Sequence, residues 1–286
     1  MLELLRESLS VYSQIRDEIR LLFDEAKKRD PLYANFAIGQ LHFFSERCQS
    51  VNLLVQDGKL WDGNILMRSA LECATRFLFV SVAEDEERVC RLKEYRFLLN
   101  EIEDLQRSEK TRTAAEQAVD PDAAMLLGGA VLSTERLSEL RQKWPKPKRA
   151  ALQQKWSFSE MARTLMGVHR KEIDLRLFGG FLHTYAISSH LIHADQTAIN
   201  LIWERRERPA QERDALVAAH AAHLITEQVS ILFICWRALA FAVGVPARNE
   251  SVVRAVLDLQ KKSDVYHKAF ADSQRAYYTD SASDAI

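Results

Sequence analysis

The chain has 286 residues, of which 47 % are hydrophobic, and its 39 basic and 40 acidic side chains give a net charge of −1. This balance excludes a global electrostatic attraction to nucleic acids or membranes, so any basic surface must be local. The chain contains 9 glycines and 6 prolines. This scarcity argues against a loop-rich all-β protein and favours long helices.

The first 107 residues carry apolar side chains at every third or fourth position, which predicts amphipathic helices. The first helix ends at Asp30-Pro31 and the second at Asp57-Gly58. The third runs from Asn64 to Val80 and is apolar almost all round. A fourth opens with the acidic segment 84–88, because the positive end of a helix dipole favours acidic residues.

The later part of the chain begins with a polar stretch, 108–155, which contains short helical pieces and a basic, proline-bearing linker. Ser157 and Glu160 form a capping-box pattern that starts another helix. Two long helices, 181–203 and 214–243, and a shorter exposed one, 250–262, are expected to follow.

These helices predict an all-α fold, a bundle of long antiparallel helices with an irregular helical insertion. We expect a single domain over residues 1–286. Its core consists of residues 1–107 and 156–262, its insertion of residues 108–155, and its frayed tail of residues 272–286.

Several features favour a cytoplasmic protein with no membrane contact. The four cysteines are scattered through apolar helices. This distribution is typical of buried thiols in a reducing compartment. The first ten residues contain acids and do not form a signal peptide. The longest apolar run, Val229 to Val245, has Arg237 at its middle and is better interpreted as a buried helix than as a membrane span.

The third helix carries Arg68, Glu72 and Arg76 at four-residue steps, with apolar residues around most of its circumference. Buried charges are usually paired, so this first stripe predicts a polar partner elsewhere in the chain. In a groove, an arginine can hold a phosphate or carboxylate while the glutamate orients it. The alternative is a ladder of ion pairs on a solvated face.

A second stripe, Tyr185, Ser189 and His193, lies at the same spacing on a later helix, with His190 close to it. We expect the two stripes to face each other. Arg68, Glu72 and His193 are then the candidate catalytic residues, and the candidate binding residues are Arg76, Tyr185, Ser189 and His190. Alternatively, the stripes form a polar seam that only fixes helix packing.

A metal site is a third interpretation, because two helices carry paired histidines. The pairs and their neighbouring acids are His190-x-x-His193 with Asp195, and His220-x-x-His223 with Glu227. The Glu-x-x-His pairs of di-iron carboxylate bundles are absent from the sequence. We therefore expect no metal and no other cofactor.

The pair of segments RSALE, 68–72, and YAISSHLIH, 185–193, resembles a family of bacterial all-helical domains of unknown function. These domains look akin to the HEPN superfamily, and the resemblance covers roughly residues 35 to 245. It implies either a metal-independent ribonuclease or a noncatalytic domain that binds a nucleotide or a partner protein, in settings such as antiviral defence and toxin–antitoxin systems.

Active HEPN ribonucleases carry an arginine and a histidine with four to six residues between them, and two such motifs usually meet in a dimer. Two matches to this spacing occur here, at Arg163 to His169 and at Arg176 to His183. Leu177 departs from the polar residue usual after the arginine, and glycines interrupt both segments. Arg68 with His193 is the alternative composite pair.

Two functional hypotheses therefore remain open. In the first, the protein acts on or binds RNA or a nucleotide, with histidine taking the 2′-hydroxyl proton and arginine stabilising the phosphate charge. In the second, it is a noncatalytic interaction or sensor module with a partner protein. A homodimer is compatible with both, and the sequence does not decide whether the protein is an enzyme.

Overall fold

The computed structural model describes residues 1–170 and 172–283, and it describes their side chains except those of Leu177 and residues 276–283. The chain is 86 % helical, and the described residues form no strand, which confirms the predicted all-α class. The helices are α1 Leu2–Arg29, α2 Pro31–Gln56, α3 Leu60–Ser81, α4 Asp85–Lys93, α5 Leu99–Gln117, α6 Pro121–Gly129, α7 Thr134–Lys143, α8 Lys146–Lys155, α9 Phe158–Met166, α10 Gly180–His193, α11 Gln196–Glu207, α12 Ala210–Ala242 and α13 Glu250–Ser283.

The chain divides into two compact units. The first consists of residues Met1–Val82 and Ala162–Ile286, and the second of Ala83–Met161. The predicted insertion, 108–155, falls inside the second unit, whose bounds are wider.

The first unit is built around α12, which packs against α1, α2, α3 and α13. Its apolar residues face inward on several sides, and Trp236 is 1 % exposed. A helix that is apolar on several faces has to be surrounded by other helices, because each apolar face is removed from water only by a neighbour. This packing explains why α12, although long and apolar enough to cross a membrane, has 72 % of its most apolar stretch buried within the protein.

The second unit has its own small core, formed by Ile102, Leu105, Leu137, Leu140 and Trp144. The side chains of Trp144 and Trp156 each donate a hydrogen bond to a glutamate, Glu101 and Glu94, at 2.8 and 2.9 Å. A five-residue π-helical turn, Glu94–Leu98, joins α4 to α5, so the helical segment reaches Gln117. The polar region predicted to begin at residue 108 is therefore still helical at its start.

The most important difference from the sequence expectation concerns the predicted helix 181–203. It breaks after His193, where Ala194 adopts a left-handed conformation with φ of 47°. Asp195 then caps the new helix α11, since its Oδ1 accepts a hydrogen bond from the Ala198 N–H at 3.2 Å. The break turns α11 away from the axis of α10.

Several other bounds also differ from the prediction. Helix α12 begins at Ala210, four residues before the predicted start at residue 214. Helix α3 begins at Leu60, four residues before Asn64, because the segment before the expected caps is already helical. Helix α13 continues to Ser283 and so includes most of the segment predicted to be a frayed tail. Residues 284–286 of that tail lie outside the described residues.

Candidate functional site

Arg68 of α3 and Tyr185 of α10 bring the two predicted stripes together. Nη2 of Arg68 donates a hydrogen bond to the Tyr185 hydroxyl at 2.9 Å, and Nε of Arg68 donates to Oε1 of Glu72 at 3.2 Å. The Tyr185 hydroxyl donates in turn to the same Oε1 at 3.2 Å. The three side chains form a closed triangle, which we call the seam.

Other contacts within the seam reinforce this triangle. The Arg68 guanidinium carbon lies 4.4 Å from the centre of the Tyr185 ring, a cation–π distance. Arg76 adds a longer hydrogen bond, from its Nη2 to Oε2 of Glu72 at 3.4 Å. Burial, followed by the negative charge of Glu72, raises the pKa of Tyr185, so the phenol keeps its proton at neutral pH.

The seam leaves little of Arg68 available for a substrate. Its side chain is 15 % exposed, and Nη1 is buried without a hydrogen-bond partner among the described residues. Nε and Nη2 are both engaged inside the triangle. The geometry therefore favours a role for Arg68 in joining α3 to α10.

The remaining residues of the second stripe lie beyond the seam. Ser189 is half-buried, and His190 Nδ1 lies 2.7 Å from Oδ2 of Asp195, beside the helix break. His193 is exposed at the end of α10. It follows Tyr185 by eight residues, or about 12 Å along the helix axis, so the described contacts do not bring His193 to Arg68. Its catalytic role stays a prediction.

One residue from each of the two predicted Arg-to-His pairs lies in an exposed cluster around Asp174. Oδ2 of Asp174 lies 3.1 Å from Nδ1 of His169 and 2.5 Å from Nη2 of Arg176. The hydrogen bonds from Arg176 hold the pKa of Asp174 well below its usual range. The histidine of one pair and the arginine of the other thus share a carboxylate, which neither sequence spacing predicted.

A cavity of about 300 Å³ lies next to the seam. Its lining comes from α3, α10, α11, α12 and α13, and it includes Asn64, one turn before Arg68, and Thr184, directly before Tyr185. Apolar and aromatic side chains cover most of the wall, among them Trp61, Ile187, Leu201, Leu216 and Phe270. A cavity of this size and lining is typical of a site for a small organic molecule.

The charged residues Glu204 and Arg205 line this cavity, and Glu204 forms an ion pair with Arg208. The guanidinium carbon of Arg205 lies 3.8 Å from the centre of the Trp61 ring, and its Nη2 donates to Nδ1 of His220 at 2.6 Å. Burial lowers the pKa of Arg205 to about 10. Burial, followed by the neighbouring Arg205 charge, lowers the pKa of His220 to about 3, so His220 is neutral and able to accept this hydrogen bond.

Arg205 lacks a negative partner among the described residues. No carboxylate lies within ion-pair distance of it in this part of the chain, and Nε is buried without a hydrogen-bond partner. Oδ1 of Asn64, on the same cavity, is also buried and unpaired, and Asn64 is 5 % exposed. Unpaired polar groups of this kind are costly in a protein interior unless a bound molecule satisfies them.

A second cavity of about 290 Å³ adjoins the first, and Thr184, His223 and His267 line both. Glu227 lines the second cavity and is 5 % exposed. Its Oε2 lies 3.4 Å from Nε2 of His223. Burial raises the pKa of Glu227 to about 8, and the nearby Thr184 hydroxyl opposes this effect.

The described residues contain no group of three or more histidines, cysteines or acids that could hold a metal ion. His190 is engaged with Asp195, and His220 with Arg205. The metal interpretation of the histidine pairs therefore has no support in the arrangement of the described residues.

Sequence reasoning missed the importance of Trp61, Arg205 and His267. Arg205 stands in a segment, Glu204 to Arg213, that reads as a charged loop diluted by glutamates. The available signal was the face of α12, where His220, His223 and Glu227 recur at helical spacing. Which residues from other helices face them could not be read from local spacing.

The fold and these cavities define an all-α protein in which a polar seam between two helices adjoins a ligand-sized cavity with unpaired polar groups in its wall. The chain belongs to DUF5677, a family of unknown function whose model matches residues 35–209. The match covers the seam and Arg205 but ends before the α12 residues His220, His223 and Glu227.

Neither a curated protein nor a solved structure matches the chain.

Proposed function

We propose that this protein is a HEPN-like domain that binds a nucleotide, either free or at the end of an RNA, in the cavity next to the seam. The observation that carries the proposal is Arg205, a half-buried cation on a ligand-sized cavity with no carboxylate partner among the described residues. A phosphate suits a planar guanidinium, since its oxygens can accept two parallel hydrogen bonds.

The rest of the cavity suits the other parts of a nucleotide. Its apolar wall, which includes Ile187 and Leu201, can cover the faces of a planar base. The exposed imidazole of His183 and the buried Oδ1 of Asn64 offer hydrogen-bonding groups at the edge. The HEPN likeness, drawn from the segments near residues 70 and 190, adds support because that superfamily includes nucleotide-binding members.

Calorimetric titration of the full chain with AMP, GMP and a short single-stranded RNA tests the proposal. Arg205→Met removes the charge while keeping most of the side-chain length, and we expect it to weaken binding about tenfold or more. Arg206→Met is the matched control, because Arg206 is the exposed neighbour that stacks on Trp203 at 5.5 Å. Wild-type affinity in Arg205→Met, or no nucleotide binding at all, would refute the proposal.

A second candidate function is metal-independent ribonuclease activity in a defence or toxin–antitoxin setting. It is favoured by the cluster in which His169 and Arg176 share Asp174. In such a reaction the histidine takes the proton of the 2′-hydroxyl, the 2′-oxygen attacks phosphorus, and the 5′-oxygen leaves with a proton. Arginine stabilises the charge on phosphate.

The ribonuclease hypothesis is tested by RNA cleavage in EDTA. We expect activity that His169→Ala and Arg176→Ala abolish, if this cluster is the active site, or that Arg68→Ala and His193→Ala abolish, if the composite pair is. Helical content measured by circular dichroism is the control for folding. Absence of EDTA-resistant cleavage in the wild type would leave nucleotide binding as the sole proposed function.

A further inference from the structure

The carboxyl group of Glu227 has few hydrogen-bond donors around it. Oε1 and Oε2 are buried and have no hydrogen-bond partner among the described residues, although the Thr184 hydroxyl lies near enough to lower the pKa of the carboxyl group. Nε2 of His223, an imidazole whose pKa burial lowers, lies 3.4 Å from Oε2. A buried carboxyl group with two unsatisfied oxygens on a cavity wall is suited to a ligand that brings two donors.

The position of Glu227 relative to Arg205 suggests what that ligand is. One face of α12 carries His220, His223 and Glu227, at steps of three and four residues. Of these, His220 contacts Arg205. Glu227 follows His220 by seven residues, a distance of about 10 Å along the helix axis. A nucleoside monophosphate spans a comparable length from its phosphate to the outer edge of its base.

The two cavities can therefore form two halves of one site. They share Thr184, His223 and His267, so a ligand held by Arg205 in the first cavity would reach the second by passing these side chains. Gln260 and Ser230 supply further polar groups in the second cavity, where they hydrogen-bond to each other at 2.7 Å.

We propose that Glu227 makes this site selective for guanine, by accepting hydrogen bonds from the adjacent N1–H and N2–H groups of the base. This inference rests on the proposed nucleotide-binding function. Of the four RNA bases, guanine is the one that presents two neighbouring N–H donors on its pairing edge, and a carboxylate accepts such a pair in a bidentate manner. Adenine presents one donor beside an acceptor nitrogen and leaves one carboxylate oxygen unsatisfied.

The energetics allow this ionised form. Although burial raises the pKa of Glu227 to about 8 in the free protein, two hydrogen bonds to a charged acceptor stabilise the carboxylate. These two hydrogen bonds offset the cost of ionising a group whose pKa lies about one unit above neutral pH.

The test compares GMP, IMP and AMP by calorimetry on the full chain. IMP is GMP without the N2 amino group, so it offers Glu227 one donor instead of two. We expect wild type to bind GMP about tenfold more tightly than IMP or AMP. Glu227→Gln, whose amide has one acceptor oxygen, should bind all three nucleotides with similar affinity.

Glu250→Gln is the control, since Glu250 is exposed at the start of α13; it should keep the preference for GMP. Equal binding of the three nucleotides by wild type, with binding still dependent on Arg205, would overturn guanine selectivity and leave nucleotide binding intact. A GMP preference that survives in Glu227→Gln would overturn the role of Glu227. Failure of all three nucleotides to bind would overturn both proposals.

Discussion

Arg68 and Tyr185 are 117 residues apart in the chain, and Nη2 of the arginine lies 2.9 Å from the hydroxyl of the tyrosine. Both side chains also bind Oε1 of Glu72. The three hydrogen bonds therefore depend on one another and fix how α10 lies on α3. This helix pair carries Asn64 and Thr184, which line the cavity, so the seam supports the site without having to contact a ligand.

The seam predicts a measurable coupling between its members. Arg68→Ala should lower the free energy of unfolding by roughly 2–3 kcal/mol, because it leaves the Glu72 carboxylate and the Tyr185 hydroxyl less well satisfied. Tyr185→Phe should cost about 1 kcal/mol. The double variant should lose about 1 kcal/mol less stability than the sum of the losses in the two single variants, as measured by urea denaturation.

Arg20→Ala is the control for this cycle. Its side chain is 72 % exposed and lies 3.9 Å from Asp17, so its loss should change stability by less than about 0.5 kcal/mol. Strictly additive costs for the Arg68 and Tyr185 variants would show that the triangle is not a cooperative unit.

The buried carboxyl of Glu227 predicts how stability depends on pH. Its pKa rises from 4.5 to about 8 on folding, so the folded protein keeps a proton that the unfolded chain releases, and stability falls as pH rises through this window. The pKa of His220 is lowered from 6.5 to about 3. His220 therefore lowers stability as the pH falls, and it does so only below pH 6.5.

Between pH 6.5 and 8 the contribution of Glu227 can therefore be separated from that of His220. Between these two pH values the wild type should lose about 2 kcal/mol of its free energy of unfolding through Glu227, at roughly 1.4 kcal/mol per pH unit, and Glu227→Gln should abolish this loss. Urea denaturation at the two pH values measures it, with Glu250→Gln as the control. The same pH slope in wild type and Glu227→Gln would mean that Glu227 is not protonated in the folded protein.

The break between α10 and α11 predicts a stabilising substitution. Ala194 has φ of 47°, in the left-handed region that glycine occupies without the steric penalty of a Cβ atom. Ala194→Gly should raise the free energy of unfolding by roughly 0.5–1 kcal/mol. The same substitution at Ala269, an exposed position inside α13, should lower it by a similar amount. If both changes destabilise, the chain does not turn at Ala194.

Cysteine accessibility predicts a simple labelling pattern. Cys48, Cys73 and Cys235 are buried, whereas Cys90 is exposed. An aromatic disulfide reagent should label one thiol per native chain and four after denaturation. Cys90→Ser should lose the native reaction. Partial burial and the charge of Glu94 raise the pKa of Cys90, so labelling should be slower than that of a free thiol at the same pH. Rapid native labelling of Cys90→Ser would contradict the buried positions.

The amino-acid sequence by itself determined the all-α class, most helix bounds and the partnership between the residues near 70 and those near 190. Helical periodicity is a local property, so it can be read from spacing alone. The stripe of Arg68, Glu72 and Arg76 also predicted its own partner, because charged side chains among apolar ones need a polar neighbour. Tyr185, a residue of the second stripe, is that polar neighbour.

Tertiary structure alone decided which side chains surround the cavity. Trp61, Arg205 and His267 come from three helices that are far apart in sequence, and they are neighbours only because α3, α11 and α13 lie around α12. The left-handed Ala194 ends the second stripe and redirects α11, which carries Arg205. Long-range packing determines whether a charged residue is solvated or half-buried, and spacing along one helix carries no information about its neighbours from other helices.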